Sequence, residues 1–262
     1  MINVCVAGVT GWVGRALVPA IQAADDLRLV AAVARGAAGE HVPLAAPPVK
    51  VSASVVEALA TPTNVLIEYT APTSAREHVL AAVERGVHVV IGTSGLTDDD
   101  YSHIDAAARA RGVGVLAAGN FAISAVLLQH FAVTAARYMP SWEILDYAKA
   151  GKTDAPSGTA REIASRLATV RPPRIDVPIG ETRGVAEARG AAMNGTQVHS
   201  IRLPGYVIGA EVLFGSAGET LSLRADAGAG AEPYVDGTLL AVRRVSGFTG
   251  LKRGLDQVLD LA

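Results

Sequence analysis

The chain has 262 residues, of which 50% are hydrophobic, 18% are charged and 5% are aromatic, and its formal net charge is −2. This composition excludes an intrinsically disordered protein, which combines low hydrophobicity with high net charge. It also lacks the excess of positive charge that favours nucleic acids or anionic membranes, so we expect neither as a partner.

The cysteine and histidine content limits the chemistry further. The one cysteine, Cys5, lies in an apolar run and cannot form an internal disulfide. The six histidines show no spacing typical of metal ligands, so we expect no metal site. No signal peptide is evident, and no apolar run is as long as a membrane span. These features predict a cytoplasmic protein.

Short apolar runs alternate with helical patterns over the first 121 residues. Strands are predicted at 2–7, 27–33, 64–69, 87–91 and 113–118. Helices are predicted at 12–23, from a capping box of Ser74 and Glu77 to about Gly86, and from Thr97 to Arg111. Because parallel strands need crossover connections, this order predicts an α/β fold with a doubly wound parallel sheet.

The pattern changes after about residue 121, where strands begin to follow one another. Helices are predicted at about 123–139, 157–169, 235–246 and 255–262, strands at 142–148, 197–203, 207–214 and 219–225, and loops at 149–156, 171–195 and 227–233. Strands without intervening helices predict a second α+β domain with a mixed or antiparallel sheet.

A glycine-rich loop follows the first predicted strand. Gly8, Gly11 and Gly14 are spaced G-x-x-G-x-x-G, which differs from the G-x-G-x-x-G of many dinucleotide-binding proteins. Their place in a βαβ unit predicts a loop whose amides hold a pyrophosphate at a helix N-terminus. The alternative is an ordinary strand-to-helix turn.

The end of the second predicted strand informs the choice of cofactor. An acidic residue there would bind the ribose hydroxyl of NAD, but this chain has Arg35 between Ala34 and Gly36. A cation without a carboxylate favours the 2′-phosphate of NADPH, although NADH stays possible. The alternative is a solvated surface arginine.

A second candidate site lies in residues 149–160 (KAGKTDAPSGTA). Ser157 is a favourable N-cap residue, Gly158 gives close backbone access and Thr159 adds a hydroxyl. The free amides of this helix start can hold a carboxylate. Lys149 and Lys152 add positive charge. The alternative is a capped helix with solvated lysines.

Residues 152–160 (KTDAPSGTA) resemble the signature of the dihydrodipicolinate reductases (4-hydroxy-tetrahydrodipicolinate reductases), a family of lysine (diaminopimelate) biosynthesis. Further segments agree with this family in order and spacing: 8–14, 68–72 (EYTAP), 92–95 (GTSG) and 119–121 (GNF). Residues 250–261 resemble its closing helix. The resemblance therefore covers nearly the whole chain.

The resemblance implies a Rossmann-type dinucleotide-binding domain formed by residues 1–121 and 232–262. It implies a substrate-binding and oligomerisation domain at 122–231, whose sheet assembles a homotetramer. The implied reaction is hydride transfer from NAD(P)H to a carboxylated cyclic imine or ene-imine, followed by protonation. The expected cofactor-binding residues are Gly8, Thr10, Gly11, Trp12, Val13, Arg35, Gly92, Thr93, Ser94, Gly119, Asn120 and Phe121. The expected substrate-binding residues are Lys149, Ser157, Gly158 and Thr159, and Lys152 matches the catalytic lysine.

The chain departs from the family at its acid–base groups. Ala148 stands where the family has a proton-donor histidine, and Lys149 stands where it has a neighbouring substrate-binding histidine. The arginine before the final helix is also missing, with Ala-Gly-Ala at 229–231. Alanine cannot transfer a proton, so the remaining proton donors near this loop are Lys152, Lys149 and Tyr147. We expect Lys152 and Lys149 to be the catalytic residues, with Lys152 as proton donor or iminium partner and Lys149 as a carboxylate ligand.

Three functions are therefore open. The chain is a dihydrodipicolinate reductase with a substituted proton donor, an imine reductase or amine dehydrogenase for another small substrate, or a catalytically silent nucleotide-binding regulator.

Tyr147 and the rings of Trp12 and Trp142 are predicted to pack against neighbouring residues rather than to bind a ligand. His199 is predicted to be a half-exposed strand residue.

Overall fold

The structure is a computed structural model that describes residues 1–43 and 45–260. The chain forms two compact units. The first unit contains Met1–Ile123 and Ala231–Ala262, and the second unit contains Ser124–Gly230. The second unit is therefore inserted into the sequence of the first.

Twelve strands and seven α-helices are described. The strands are β1 (Ile2–Ala7), β2 (Leu27–Val33), β3 (Val51–Ser52), β4 (Val65–Glu68), β5 (His88–Ile91), β6 (Gly114–Ala117), β7 (Ser141–Ala148), β8 (Ala191–Met193), β9 (Thr196–Arg202), β10 (Ile208–Ser216), β11 (Glu219–Ala227) and β12 (Gly250–Arg253). The helices are α1 (Trp12–Ala23), α2 (Val55–Ala58), α3 (Pro72–Glu84), α4 (Asp98–Arg111), α5 (Ile123–Ala136), α6 (Gly158–Ala168) and α7 (Glu232–Arg244). None of the described helices is long and apolar enough to cross a membrane.

The first unit is built on a seven-stranded sheet in the order β12-β6-β5-β4-β1-β2-β3, and its neighbouring strands are parallel. Helix α1 packs against α7, and α3 packs against α4. The central strands are short, β-branched and buried, which is typical of a parallel sheet covered on both faces. The predicted Rossmann-type fold is therefore confirmed.

Strand polarity places the ends of β1, β2 and β4 at one edge of this sheet. The glycine-rich loop follows β1, Arg35 follows β2, and the segment 69–71 follows β4. In open parallel sheets, ligands bind outside the carboxyl ends of the strands. The topology therefore brings three sequence-distant segments to one potential binding edge.

The second unit has a mixed five-stranded sheet in the order β11-β10-β7-β9-β8. Strand β10 is antiparallel to β7 and β11, whereas β7 and β9 are parallel. Alternate residues of β7, β9 and β10, such as Ile144, Val198 and Val212, pack against α5 and α6. The mixed sheet matches the predicted α+β class.

The predicted final helix is wrong. The helix expected at 255–262 is a 3₁₀ turn over Leu255–Val258, and β12 precedes it and pairs with β6; residues 261 and 262 lie outside the described part of the chain. Gly250, with φ 90°, is the first residue of this strand, and Gly254, with φ 104°, directly follows its last residue.

The capping box expected at Ser74 and Glu77 is also wrong. Helix α3 begins at Pro72, which is favoured at the first helical position because its missing N–H needs no partner there. Ser74 lies inside the helix, where its hydroxyl donates to the carbonyl of Ala71. In contrast, the box of Thr97 and Asp100 caps α4, and Gly112 ends that helix with φ 69°.

Gly237 lies inside α7, where glycine normally destabilises a helix by about 1 kcal/mol relative to alanine. Here a Cβ would collide with the backbone carbonyl of Phe121. We therefore expect Gly237→Ala to lower the free energy of unfolding by about 1–3 kcal/mol, as overpacking does. Thermal unfolding measures the effect. The exposed Gly247 has open space around its Cβ position, so Gly247→Ala is the control and should leave Tm nearly unchanged.

Candidate active site

The glycine-rich loop is packed too tightly for side chains at two positions. Gly8 has φ 88°, and a Cβ there would overlap the carbonyl of Tyr69 at the end of β4. A Cβ on Gly14 would overlap the carbonyl of Gly8. These glycines thus let the loop lie directly against β4 while α1 starts beside it.

This loop leaves several amides free at the start of α1. The amide of Gly11 donates to the carbonyl of Gly8 at 2.8 Å, and the amide of Arg15 donates to Gly11 at 3.1 Å. Within the described chain, the amides of Thr10, Trp12 and Val13 have no such acceptor. The first turn of α1 also contains no acidic residue. This arrangement suits a bound anion, because the helix N-terminus is positive.

A cavity of about 330 Å³ lies beside the loop. It is lined by Gly8, Thr10, Gly11, Val33, Ala34, Arg35, Gly36, Ala53, Tyr69, Thr70, Ala71, Ser74 and His78. Arg35 is exposed, and its guanidinium has no ion-pair partner among the described residues. The cavity thus combines free amides, hydroxyl groups and a cation.

Glu68 and His78 are site features to which the sequence alone assigned no role. Glu68 ends β4 with a fully buried side chain, and its Oε1 accepts hydrogen bonds from the amide and the hydroxyl of Thr70. Nδ1 of His78 lies 3.4 Å from the same oxygen. Glu68 Oε2 is buried without a partner in the described chain. A charged residue at the end of an apolar run was the available signal.

Gly92 and Thr93 follow β5. A Cβ on Gly92 would overlap the ring of Tyr69, whose hydroxyl lies 2.8 Å from Oγ1 of Thr238. Burial raises the pKa of Tyr69, so this phenol stays neutral. Thr93 is only 9% exposed, and its buried hydroxyl has no partner in the described chain. Of this segment, Thr93 therefore offers an unused hydrogen-bonding group, while Ser94 is exposed.

The segment 119–121 follows β6. Gly119 is exposed, and Oδ1 of Asn120 accepts a hydrogen bond of 2.8 Å from the amide of Ala122. Phe121 is 1% exposed, and its ring lies 6.0 Å from that of Tyr69. Only the backbone of Phe121 is therefore placed to contact a ligand.

The two tryptophans have different environments. Trp142 is 4% exposed, and its indole N–H donates to Thr196 at 3.0 Å, so it packs as predicted. Trp12 is 58% exposed, and its ring forms a T-shaped contact with the ring of Tyr234, at 5.4 Å between centroids. The Trp12 ring is thus only partly packed.

In the second unit, the start of α6 has two free amides. The amide of Ser157 donates to Oδ2 of Asp146 at 2.8 Å, and its side chain accepts from the amide of Ala160 at 3.3 Å. The amide of Arg161 begins the helical ladder. Within the described chain, the amides of Gly158 and Thr159 have no acceptor. Three residues were predicted to bind an anion at this helix start. Of these, Ser157 already uses its amide and its hydroxyl in hydrogen bonds within the protein.

The two lysines of the preceding loop differ in their contacts. Lys152 Nζ lies 2.6 Å from Oδ1 of Asp154, and this contact holds the pKa of Asp154 below its usual range. Lys149 follows β7, and its exposed side chain has no ion-pair partner in the described chain. The loop therefore carries one paired and one unpaired ammonium group.

Asp146 is the main group in this unit that the sequence did not reveal. Its carboxylate is fully buried and accepts from Ser157, from Ser200 at 3.0 Å and from Arg202 at 2.7 Å. Burial opposes its ionisation, but the hydrogen bonds from Ser157, Arg202 and Ser200 outweigh it and lower the pKa of Asp146. Asp146 is therefore ionised near neutral pH.

Position 148, where the family resemblance implies a histidine, is buried. Ala148 is fully buried and pairs with Arg202 on β9 and Ile208 on β10. Its neighbour Tyr147 is 6% exposed and donates to Glu211 at 2.8 Å; burial and this bond raise its pKa to about 12. Tyr147 is thus a packed residue, as predicted, and stays protonated.

His199 and Cys5 belong to no metal site among the described residues. His199 Nε2 lies 2.7 Å from Oε2 of Glu143 in the sheet, and its side chain is 26% exposed. Among the described residues, no group of three His, Cys, Asp or Glu side chains could hold a metal ion. Burial raises the pKa of Cys5 to about 12, so its thiol is unreactive.

Comparison with known proteins relates both units to one family. The family description "Dihydrodipicolinate reductase, N-terminus" matches residues 2–121, and "Dihydrodipicolinate reductase, C-terminus" matches residues 124–259. The 4-hydroxy-tetrahydrodipicolinate reductase of Mycolicibacterium smegmatis is 40% identical over 261 residues, covering 99% of this chain and all of the relative. That of Halalkalibacterium halodurans is 38% identical over 268 residues, with the same coverage.

Solved structures agree with this relationship. A dipicolinate-bound dihydrodipicolinate reductase from Paenisporosarcina sp. TG-14 is 31% identical and superimposes with a TM-score of 0.89, covering 99% of this chain and all of that chain. An amine dehydrogenase from Mycobacterium smegmatis shares the fold, with a TM-score of 0.67 at 15% identity, 100% coverage of this chain and 97% of that chain. The chain therefore belongs to the dihydrodipicolinate reductase family.

Proposed function

We propose that this protein is an NAD(P)H-dependent oxidoreductase that reduces a carboxylated cyclic imine or ene-imine, as the 4-hydroxy-tetrahydrodipicolinate reductases of lysine biosynthesis do. The observation that carries the proposal is the pair of free amides at Gly158 and Thr159, preceded by a loop with two lysines. A dicarboxylate substrate needs such groups, because helix N-termini and ammonium groups both stabilise carboxylates.

The first unit fits a nicotinamide dinucleotide on three observations. The free amides of Thr10, Trp12 and Val13 suit a pyrophosphate. The cation of Arg35 suits the 2′-phosphate of NADPH, and the unpartnered hydroxyl of Thr93 suits an amide group of the cofactor. Gly92, Ser94, Gly119, Asn120 and Phe121 would contribute mainly backbone contacts. When bound, NAD(P)H supplies a hydride and leaves as NAD(P)⁺.

The second unit supplies the groups for the substrate. The amides of Gly158 and Thr159 would bind one carboxylate, and Lys149 would bind another negative group. Reduction of the imine or ene-imine adds one hydride and one proton. The ammonium group of Lys152 would donate that proton and regain one from water, because no histidine occupies position 148.

We also propose that the two units bind different ligands. Residues 1–121 and 232–262 would bind the dinucleotide, and residues 122–231 would bind the substrate and mediate oligomerisation. The homotetramer is implied by the family resemblance, and the cytoplasmic location is predicted from the cysteine content and the lack of an evident signal peptide. Size-exclusion chromatography with light scattering tests the oligomeric state.

A second candidate function follows from the alanine at position 148. The buried alanine removes the acid–base group that the family pattern has there, which favours an imine reductase or amine dehydrogenase acting on a different small substrate. The fold alone accommodates both activities, since one amine dehydrogenase shares it.

One assay separates these functions. Purified protein is mixed with NADPH and enzymatically generated 4-hydroxy-tetrahydrodipicolinate, and oxidation of the cofactor is followed by absorbance. We expect turnover on the order of 10 s⁻¹, a typical enzymatic value. NADPH binding without turnover would contradict this substrate and lead to a panel of other imines. If no imine is reduced and Lys152→Ala leaves the behaviour of the protein unchanged, the result favours a catalytically silent nucleotide-binding regulator.

The role of Arg35 gives a further prediction. Removing a charged hydrogen-bonding partner costs about 1.5–3 kcal/mol, so Arg35→Ala should weaken NADPH binding by about 10- to 100-fold. NADH lacks the 2′-phosphate, so its Kd should stay nearly constant. Isothermal titration calorimetry measures both constants. Arg28→Ala, an exposed arginine within β2, is the control and should change neither. Equal losses for the two cofactors would contradict this role.

A further inference from the structure

The carboxylate of Asp146 joins three separate segments of the second unit. Its side chain is fully buried near the end of β7. Oδ2 accepts from the amide of Ser157 at 2.8 Å, from the hydroxyl of Ser200 at 3.0 Å and from Nη2 of Arg202 at 2.7 Å. One oxygen atom therefore ties the start of α6 to strands β7 and β9.

Arg202 extends this network to the lysine-bearing loop. Nη1 donates to the backbone carbonyl of Asp146, and Nη2 also donates to the backbone carbonyl of Asp154 at 2.8 Å. The carboxylate of Asp154 in turn contacts Lys152. The position of Lys152 is thus linked to Asp146 through two residues.

The network also decides which amides are available to a ligand. Asp146 uses the amide of Ser157, and the side chain of Ser157 uses the amide of Ala160. The amides that remain free are those of Gly158 and Thr159. Oδ1 of Asp146 and Nε of Arg202 are buried without partners in the described chain, so hydrogen-bonding capacity remains here for a ligand or water.

We propose that Asp146 is a positioning residue that orients the Gly158 and Thr159 amides toward a substrate carboxylate and, through Arg202 and Asp154, fixes Lys152. The proposal rests on the proposed function, because it presupposes a carboxylated substrate. It assigns a role in substrate affinity to a residue that does not itself touch the substrate.

Replacement by asparagine tests the carboxylate without changing its shape. The Asp146→Asn substitution keeps the side-chain volume, but it leaves the charge of Arg202 uncompensated and puts an amide NH₂ in place of one carboxylate oxygen. A buried ion pair that loses one partner is strongly disrupted. We expect Asp146→Asn to weaken binding of pyridine-2,6-dicarboxylate to the NADPH-loaded protein by about 10- to 100-fold, the loss expected for charged hydrogen bonds.

A matched control lies on the same strand. Glu143 also accepts from an arginine and a histidine, Arg189 and His199, but no hydrogen bond or ion pair joins its side chain to α6 in the described chain. Glu143→Gln should therefore leave the Kd of the dicarboxylate unchanged. The Kd of NADPH should stay constant in both variants. Hydrogen exchange of the segment 149–160 should rise in Asp146→Asn only.

The outcomes separate this role from the proposed function. Wild-type protein that binds NADPH but no dicarboxylate overturns the proposed function, and this role with it. Normal dicarboxylate binding by Asp146→Asn, or equal losses in both variants, overturns only the positioning role. If Asp146→Asn does not fold, Ser200→Ala removes a single donor to Asp146; it should still raise the Kd of the dicarboxylate and the exchange of 149–160, and no change in either overturns the proposal.

Discussion

Replacing Lys152 with alanine should lower kcat by about 10²- to 10⁴-fold, the range that general acid catalysis contributes. Lys152 is the lysine that matches the family signature, and Ala148 leaves no histidine to act in its place. The NADPH Kd should not change, because the groups proposed for the cofactor lie in the other unit. Stopped-flow and steady-state absorbance of the reduced cofactor measure these effects.

A second substitution at Lys152 separates proton donation from charge. Arginine keeps the positive charge but does not release its proton near neutral pH. Lys152→Arg should therefore hold KM near the wild-type value while kcat stays low. Lys50→Ala removes an exposed lysine of the first unit and should change neither constant. A Lys152→Ala variant with kcat close to that of wild type would contradict proton donation by this residue.

Lys149→Ala is expected to raise KM and to leave kcat nearly unchanged, because this lysine is proposed to bind a substrate carboxylate. Its side chain is exposed and unpaired in the described chain, so a substrate can reach it without breaking an existing ion pair. Lys152, in contrast, must exchange Asp154 for the substrate. This difference is the physical reason to assign binding to one lysine and proton transfer to the other.

The sequence predicted the fold where local signals and tertiary packing agree. The limits of α1 were predicted as observed, because a glycine loop precedes it and its apolar residues form one face. The short buried strands were evident from their β-branched runs. The start of α3 was missed because Ser74 and Glu77 formed a plausible cap, although Pro72 sets the helix start. Strand β12 was missed because its pairing partner, β6, lies far away in sequence.

The candidate site shows the same limit. Glycines and capping residues could be predicted because they act on neighbouring residues. Asp146 could not, because a carboxylate in an apolar strand becomes stable when buried only with a partner, and its partner Arg202 lies 56 residues later. Glu68 was missed although its partners, Thr70 and His78, lie near it in sequence, because its burial at the end of β4 depends on the packing of the whole sheet. The buried charges that organise a site depend on contacts that the sequence does not display.

The last 23 residues should be essential for the folding of the first unit. A chain ending at Leu239 loses the last five residues of α7 together with β12, which leaves β6 as an exposed edge of the sheet. It also loses Val242, Val245 and Leu255, each at most 1% exposed. Burying each of these side chains contributes about 1.5–3 kcal/mol, or together about 5–9 kcal/mol, which is comparable with the whole stability of a domain. We therefore expect a chain that neither binds NADPH nor resists proteolysis within residues 1–123.

A chain ending at Asp260 retains the described residues of this end and is the control, so its NADPH binding should persist. A folded, NADPH-binding protein ending at Leu239 would contradict the prediction, because it would show that the parallel sheet is stable without its seventh strand.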